Sequence, residues 1–236
     1  MPTITFSRLN PDKQEKIIHC AAEIFARNGY TGASMDSVAE AAGIAKGALY
    51  RYFTSKKDLF IRVVDFLRED INNYAMQFLD NHKDINVFDT FRDWVVSIYT
   101  LHERFSMHRD VVCNILYQEA LDFKGEVLAK FGKLTTQYTR LLLQRGIARG
   151  EVREEVDLDA AAFIIDSVID RFHDGVTMPF LDKGYALYQQ PQEVIERKAD
   201  QLIAAFRRAF GKAGYQQEQL ALQEQQPANS MHRSAS

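Results

Sequence analysis

The stretch Thr31–Phe60 constrains the fold more than any other part of this chain. Two short segments with helical apolar spacing are separated there by Gly43, and a new helix start follows the second segment. Because glycine adopts a positive φ without strain, the backbone can reverse at Gly43 within about three or four residues. Ser34 stands where the first segment needs an N-cap, and Asp36 lies in its first turn. The stretch therefore predicts a helix-turn-helix.

The outward face of the second short helix is basic and aromatic. Leu49 and Phe53 lie four residues apart and point toward a core, so the polar and charged side chains between them occupy the remaining surface. From Gly43 to Lys57 there are four lysines and arginines and no acidic residue, whereas the whole chain has a net charge of -3. Phosphate is the natural partner of such a local excess of positive charge, so this face predicts binding to double-stranded DNA.

These residues carry a family resemblance. The segment 43–60, which reads GIAKGALYRYFTSKKDLF, resembles the DNA-binding domain of the TetR family of bacterial transcriptional regulators. The resemblance extends upstream through Gly29, Tyr30 and the segment VAEAAG, and it covers about the first quarter of the chain. The rest of the chain resembles the family only in being helical. Ala45 departs from the family pattern, which often has Ser or Thr there, and it removes a capping hydroxyl.

The resemblance implies that Lys46 and Gly47 face base edges and that Tyr50, Tyr52 and Lys56 hold phosphates. Lysine at the start of the second helix can donate to guanine O6 or N7, and glycine beside it lets the backbone approach the groove floor. Each such residue taken alone would be an ordinary solvated side chain, but the grouping favours contact with DNA. The predicted DNA-binding set is Ser34, Lys46, Gly47, Ala48, Tyr50, Arg51, Tyr52, Lys56 and Lys57.

Length and charge divide the chain into regions. With 236 residues, 46% of them hydrophobic, it can build one large or two small cores. We predict a helix-turn-helix domain at 1–54, a linking helix at 55–75, a ligand-binding and dimerisation domain at 76–215 and a Gln-rich disordered tail at 216–236. Residues 1–60 carry a net charge of +2 and residues 61–236 a net charge of -5. The amino-terminal region is therefore the part suited to binding nucleic acid.

Cysteine usage and hydropathy indicate a cytoplasmic protein. Cys20 and Cys113 are far apart and form no CxxC motif, which favours a reducing compartment. The longest uninterrupted apolar run, Ala160–Ile165, is far shorter than the roughly 20 residues that a membrane span requires. We therefore expect no association with a membrane. Residues 1–9 are expected to form a loose arm.

Beyond the linking helix the chain is expected to be all-α, because no strand alternation competes with the helical spacing. The helix from Asp157 has the widest apolar stripe, which suggests burial on two sides. The resemblance implies that this helix and the last one pair with their copies in a homodimer, which also suits a palindromic operator, although the same stripes would serve a core within the chain. Predicted helices span 86–105, 107–122, 124–148, 157–175 and 191–211, and the predicted dimerisation residues are Ile165, Ile169, Phe172, Leu202 and Phe206.

The region between the linking helix and the last two helices is rich in aromatic residues. Such residues are usually plain core, but as a set they favour a small hydrophobic effector over a sugar or a phosphate. Acidic residues within the apolar pattern are candidates for orienting a polar end of the effector, although each also fits an exposed ion pair. The predicted ligand-binding residues are Trp94, Ile98, Phe105, Cys113, Tyr117, Asp166 and Asp170.

The sequence thus predicts a transcriptional repressor that a small hydrophobic effector releases from its operator. One alternative is a DNA-binding protein of the same fold that a protein partner controls. Another is a helical metalloprotein, but Asp170 and His173 form a single D-x-x-H where a di-iron bundle needs two E-x-x-H pairs. No P-loop, GxGxxG or GxSxG motif supports an enzyme, and no metal or cofactor is expected.

Overall fold

The computed structural model describes residues 3–118, 120–182 and 184–214, and the elements assigned in these ranges are helices. A π-helical turn at Asn114–Gln118 continues α8, a 3-10 turn covers Pro179–Leu181, and one isolated antiparallel bridge joins Val152 to Gly211. The all-α prediction is confirmed. The predicted tail at 216–236 lies outside the described residues. The helices are α1 (Ile4–Ser7), α2 (Pro11–Gly32), α3 (Met35–Ala42), α4 (Lys46–Tyr52), α5 (Lys56–Asn81), α6 (Val87–Val96), α7 (Ile98–Arg104), α8 (Ser106–Cys113), α9 (Lys124–Ala148), α10 (Leu158–Thr177) and α11 (Gln192–Phe210).

The helix ends follow the capping signals in the sequence. The Asn10 side chain accepts the backbone N–H of Asp12 at the start of α2. Near the other end of α2, Gly29 adopts a φ of 67°, which glycine tolerates without strain, and interrupts the helix. At the start of α5, the Ser55 hydroxyl accepts the backbone N–H of Asp58. Helix α5 continues to residue 81, beyond the predicted end of the linking helix at 75.

Helices α3 and α4 are joined by the turn that Gly43 permits. Ser34 and Ser37 form a reciprocal capping box at the start of α3. Gly43 ends this helix with a φ of 69°; its N–H donates to Glu40 O and the N–H of Ile44 donates to Ala39 O, both at 3.0 Å. This double hydrogen bond is the Schellman motif, which fixes the direction in which the chain enters α4.

The first of two compact units comprises residues up to 83 together with 97–137. Its core joins α2, α3, α4 and α5 to residues beyond the predicted helix-turn-helix domain, since Val111, Ile115, Phe123 and Val127 belong to the same buried cluster. The Asn114 amide donates to the carbonyl of Ala26 in α2 at 2.9 Å. The predicted boundary at residue 54 therefore does not coincide with a gap between packed cores.

The amino-terminal arm is not loose, so that expectation is wrong. Residues 4–7 form α1, and Phe6 lies in the core with its ring 4.8 Å from that of Phe53 and 6.0 Å from that of Tyr52. The Thr3 N–H donates to Tyr52 O at 3.0 Å, and its hydroxyl donates to Arg51 O at 2.7 Å. Helix α1 therefore supports α4 from behind.

The second unit comprises residues 84–96 and those from 138 onward. Helices α6 and α11 pack against each other, and α6 also contacts α10. The predicted helix 86–105 is divided at Ser97 into α6 and α7, and these two helices belong to different units. Glu151 is buried and its carboxylate accepts the N–H of Val87 at 2.7 Å, which fixes the start of α6. None of the described helices combines the length and the apolar character needed to cross a bilayer.

Candidate nucleic-acid interface

Helix α4 is built to present one face outward. Leu49 and Phe53 are fully buried and anchor its inner side, while α1 packs on its carboxyl-terminal end. This support has only a weak signal in the sequence, because Phe6 is a single aromatic residue in a short arm. Ala45 makes no side-chain hydrogen bond at the start of α4, as its methyl side chain requires. The outward residues of α4 are therefore held on a rigid element, which a groove-reading surface requires.

Lys46 is exposed at the start of α4 and is paired with Asp36 from the first turn of α3. The Lys46 Nζ lies 2.6 Å from Asp36 Oδ2, and the side chains are 59% and 58% exposed. The hydrogen bond to Asp36 and the charge of its carboxylate raise the pKa of Lys46, so the amine is fully protonated at neutral pH. The position of Asp36 in the first turn of α3 is evident from the sequence, but its contact with Lys46, ten positions away, is not.

Five of the nine predicted DNA-contacting residues lie exposed on the surface. A side chain added at Gly47 would meet no atom within 4 Å, so the backbone there is open to a close approach. Tyr50 is 47% exposed, and Arg51 is exposed beside it. Ala48 is half-buried. The exposed residues are Ser34, Lys46, Gly47, Tyr50 and Arg51.

Tyr52 is turned into the core and is only 6% exposed. Its ring contacts Phe6 and its backbone carbonyl accepts the N–H of Thr3. Reaching a phosphate would require this ring to leave the core, so the structure gives Tyr52 a packing role.

Lys56 is occupied by contacts within the chain. Its Nζ donates to Tyr30 O at 2.8 Å and to Ala33 O at 3.0 Å, and lies 3.4 Å from Thr31 O. The same ammonium group lies 4.5 Å from the centre of the Tyr30 ring. An ammonium group has three N–H donors, so these three carbonyl oxygens use its full capacity. Lys56 therefore ties the start of α5 to the end of α2.

Lys57 also faces protein. Its Nζ lies 4.6 Å from the centre of the Phe123 ring and 3.9 Å from a carboxylate oxygen of Glu126. The Phe123 ring contacts Tyr30 edge-on at 5.0 Å. Lys56 and Lys57 thus flank one aromatic cluster, within the first unit, that joins the end of α2 to the residues preceding α9.

The predicted ligand-binding residues divide between the two units. Ile98, Phe105 and Cys113 belong to the first unit, where Ile98 is buried and the other two are half-buried. The Phe105 ring packs edge-on against Tyr74 at 5.4 Å and against the buried His108 at 4.8 Å. The side chain of Tyr117 lies outside the described part of the structure.

Trp94, Asp166 and Asp170 belong to the second unit. The Thr139 hydroxyl donates to Asp166. Asp170 is exposed, but desolvation by the surrounding protein atoms raises the pKa of its carboxyl group to about 6. Repulsion from Asp166 and Asp174 acts in the same direction and does not depend on burial.

His173 lies among backbone carbonyls of α6 in the second unit. Its Nε2 is 3.2 Å from the carbonyl oxygen of Val95. Desolvation lowers the pKa of His173 to about 4, so the ring is neutral at physiological pH and donates to that carbonyl. Among the described residues no group of three or more His, Cys, Asp or Glu side chains is arranged to hold a metal ion.

The second unit also has a groove of about 630 Å³ between α6 and α11. Its walls carry several cations, but two of them are already paired. Arg92 Nε lies 2.6 Å from Asp200 Oδ1, and an Arg207 amino group lies 3.0 Å from Asp89 Oδ1. This groove contains none of the predicted ligand-binding residues.

The predicted dimerisation residues lie largely within the core of the second unit. Ile165, Ile169, Phe172 and Phe206 are buried, and Leu202 is half-buried. These side chains already have partners in their own chain, and their part in an interface stays a prediction. Phe163 and Ile164 lie on the opposite side of α10 and are 69% and 45% exposed. The sequence showed them as a widening of the stripe without indicating which side faces outward.

Comparison with known proteins agrees with this geometry. Residues 17–63 match the family model of bacterial regulatory proteins of the tetR family. The fatty acid metabolism regulator protein of Bacillus subtilis is 26% identical over 187 residues, which cover 78% of this chain and 92% of that protein. The HTH-type transcriptional repressor AcnR of Corynebacterium diphtheriae is 25% identical over 178 residues, covering 73% and 84%.

The crystal structure of the transcriptional regulator FadR from Bacillus subtilis, in complex with stearoyl-CoA, shares the fold. It superimposes with a TM-score of 0.58 at 21% identity and covers 81% of this chain and 97% of that one. The matched segment 17–63 contains the whole of α3, the Gly43 turn and α4, so the sequence match and the exposed basic helix fall on the same residues. Residues 17–63 therefore form a DNA-binding domain of the tetR type, and the chain is a DNA-binding transcriptional regulator.

Proposed function

We propose that this regulator is a repressor that binds a palindromic operator as a homodimer and leaves it when a fatty acyl thioester binds. The observation that carries the DNA-binding part is the outward face of α4, where Lys46, Gly47, Tyr50 and Arg51 are exposed together on a helix anchored by its other face. Lys46 and Gly47 read base edges, while Tyr50 and Arg51 hold phosphates beside them.

Lys56 has a different role in this proposal. Because carbonyl oxygens at the end of α2 accept its N–H donors, Lys56 holds α2 against α5 and does not contact phosphate. Ser34 and Ala48 border the reading surface, and Tyr52 supports α4 from the core. Lys57 stays on its aromatic partner Phe123.

The proposed effector is a fatty acyl thioester because a structural relative binds stearoyl-CoA and because the region after the linking helix is aromatic and apolar. The FadR structure from Bacillus subtilis contains that ligand. In the first unit Ile98 and Phe105 supply apolar surface that suits an acyl chain, and Cys113 and Tyr117 extend the same region along the sequence.

Release from DNA is proposed to act through the shared core of the first unit. Val111 and Ile115 lie in one buried cluster with Phe25 of α2, and Asn114 donates to the same helix. An effector that shifts α8 would therefore shift α2, on which α3 and α5 also pack. By linkage, an effector that weakens DNA binding is itself bound more weakly by the DNA-bound protein, by the same factor.

The homodimer is proposed to form through the outward sides of α10 and α11. Phe163 and Ile164 are large apolar side chains exposed on consecutive positions of α10. Covering a side chain of this size contributes roughly 1.5–3 kcal/mol, so a second copy of the same face would gain from burying both.

Fluorescence anisotropy of the purified protein on DNA flanking its own gene tests the proposal. We expect sequence-specific binding that stearoyl-CoA reverses and that free coenzyme A leaves unchanged. Specific binding that no acyl thioester reverses would contradict the effector and favour control by a protein partner. Absence of any specific binding would contradict the operator assignment itself.

A further inference from the structure

We propose that Asp36 and Lys46 together read one G·C base pair, with Lys46 donating to guanine and Asp36 accepting from the cytosine amino group. This inference rests on the proposed DNA-binding surface and adds to it a specificity-determining residue on α3. It starts from the 2.6 Å contact between Lys46 Nζ and Asp36 Oδ2, which places a donor and an acceptor side by side on the exposed surface.

The turn at Gly43 creates this juxtaposition. Asp36 lies in the first turn of α3 and Lys46 is the first residue of α4, so the two are ten positions apart in sequence. The Schellman motif fixes the angle at which α4 leaves α3, and the capping box of Ser34 fixes the start of α3. Both charged side chains are therefore carried by helix ends whose backbone is fixed.

The pair matches the major-groove edge of a G·C pair. Guanine O6 accepts and cytosine N4 donates, and these two atoms are hydrogen-bonded to each other, so they lie about 2.9 Å apart. The separation of Nζ and Oδ2 is 2.6 Å, so the protein offers a donor and an acceptor at nearly the spacing that the base pair requires. Guanine N7 gives the ammonium group a second acceptor beside O6.

Discrimination between base pairs depends on the Asp36 carboxylate and on the base atoms that face the Lys46 ammonium group. An A·T pair also has an acceptor and a donor at this position, but the acceptor is thymine O4, which is flanked by a methyl group where guanine has N7. At any position where no amino group faces it, the Asp36 carboxylate meets acceptor atoms or phosphates and repels them. Lys46 alone would tolerate several base pairs. With Asp36 beside it, a reversed pair places an acceptor against the carboxylate, and a T·A pair lacks the N7 acceptor for the ammonium group, so G·C is preferred.

An exposed ion pair of this kind contributes little to folding, because water solvates and screens both charges. A negative charge exposed beside Lys46 therefore has a cost to DNA affinity without a matching gain in stability. A role for Asp36 in selecting the DNA sequence accounts for this cost in affinity.

The test measures base preference position by position. Wild-type protein first selects a site from a random double-stranded DNA library. Affinities are then measured for the selected duplex and for duplexes with each base pair changed singly. We expect one G·C position in each half-site at which a change weakens binding roughly tenfold, within the about 5- to 150-fold span expected for one good side-chain contact to a base pair.

Asp36→Ala and Lys46→Ala should each abolish the preference at that same position. The double variant should lose no more than either single variant, because the two residues act as one unit. Asp36→Asn keeps the size of the side chain and should shift the preference toward adenine, which an amide pairs with on two atoms. Glu40→Ala is the matched control, since it removes an equal charge from an exposed position on the same helix.

The outcomes separate this inference from the function on which it rests. If Asp36→Ala strengthens binding to all duplexes equally, as Glu40→Ala should, Asp36 acts as surface charge and the inference is overturned while Lys46 keeps its role. The inference is also overturned if the preference for G·C is lost in Lys46→Ala but retained in both Asp36→Ala and Asp36→Asn. If the wild-type protein selects no sequence, the proposed operator binding fails first. Thermal melting by circular dichroism shows that each variant is folded.

Discussion

Replacing Lys56 by methionine should destabilise the protein without changing how its DNA affinity depends on salt. The substitution keeps most of the aliphatic stem and removes the ammonium group that donates to Tyr30 O and Ala33 O and lies 4.5 Å from the Tyr30 ring centre. The carbonyl oxygens, at the end of α2, would lose their charged donor. The chain would keep its fold but lose a tie between α2 and α5.

The magnitude follows from these contacts. Hydrogen bonds to charged groups contribute about 1.5–3 kcal/mol each, but Lys56 is half-exposed, so water screens the charge and replaces part of each bond. Taking about 1 kcal/mol for each of the two shorter bonds and about 0.5 kcal/mol for the ring contact gives roughly 2.5 kcal/mol. In a protein of this size, 1 kcal/mol shifts Tm by about 2–4 °C, so the expected decrease is about 5–10 °C.

Differential scanning calorimetry of the DNA-free protein measures this loss, and DNA affinity at several salt concentrations completes the assay. Arg51→Met is the matched control, because Arg51 is an exposed cation on the reading face. We expect Arg51→Met to change the free energy of unfolding by less than about 0.5 kcal/mol and to reduce the salt slope by about 1. If Lys56→Met instead leaves Tm unchanged and reduces the salt slope, Lys56 binds phosphate and the structural role is refuted.

Three further changes test other parts of the structure. Phe6→Ala should lower the free energy of unfolding, measured with urea, by about 3–5 kcal/mol because the ring is fully buried behind α4. A decrease under about 1 kcal/mol would contradict the packing of this arm on α4. Phe163→Asp should convert the proposed dimer to a folded monomer in sedimentation, since the side chain is 69% exposed within its own chain. An unchanged dimer mass would exclude this face of α10 from the interface. The native pKa of His173 is about 4, below the unfolded value near 6.5, so the native state binds fewer protons between these two pH values. The free energy of unfolding therefore falls as pH decreases from about 6.5 to about 4, by roughly 3 kcal/mol in total. His173→Gln should remove that part of the decrease, while the opposite contribution of Asp170, whose pKa is raised to about 6, stays in both proteins. An identical pH profile for the two proteins would contradict a neutral, partly buried ring.

Local signals in the sequence were sufficient to predict helices α3 and α4, the turn between them and the start of α5. Ser34, Gly43 and Ser55 act on atoms within five positions along the chain, so their hydrogen bonds follow from residue type and order. The outward face of α4 was predictable for the same reason, because the burial of Leu49 and Phe53 leaves the opposite side exposed. The family match at 17–63 rests on these positions.

The tertiary structure decided which groups each of these side chains contacts. Lys56 looked like a phosphate contact in the sequence, but folding brings it to a carbonyl 26 positions away. Phe6 has no periodic pattern to mark it as core, yet α1 docks on α4. The apolar stripe of α10 did not show which side another helix of the chain covers, and the structure buries Ile165 while leaving Phe163 exposed. Local order fixes helix ends because their interactions span a single turn, whereas partners distant in sequence are set by how the helices pack.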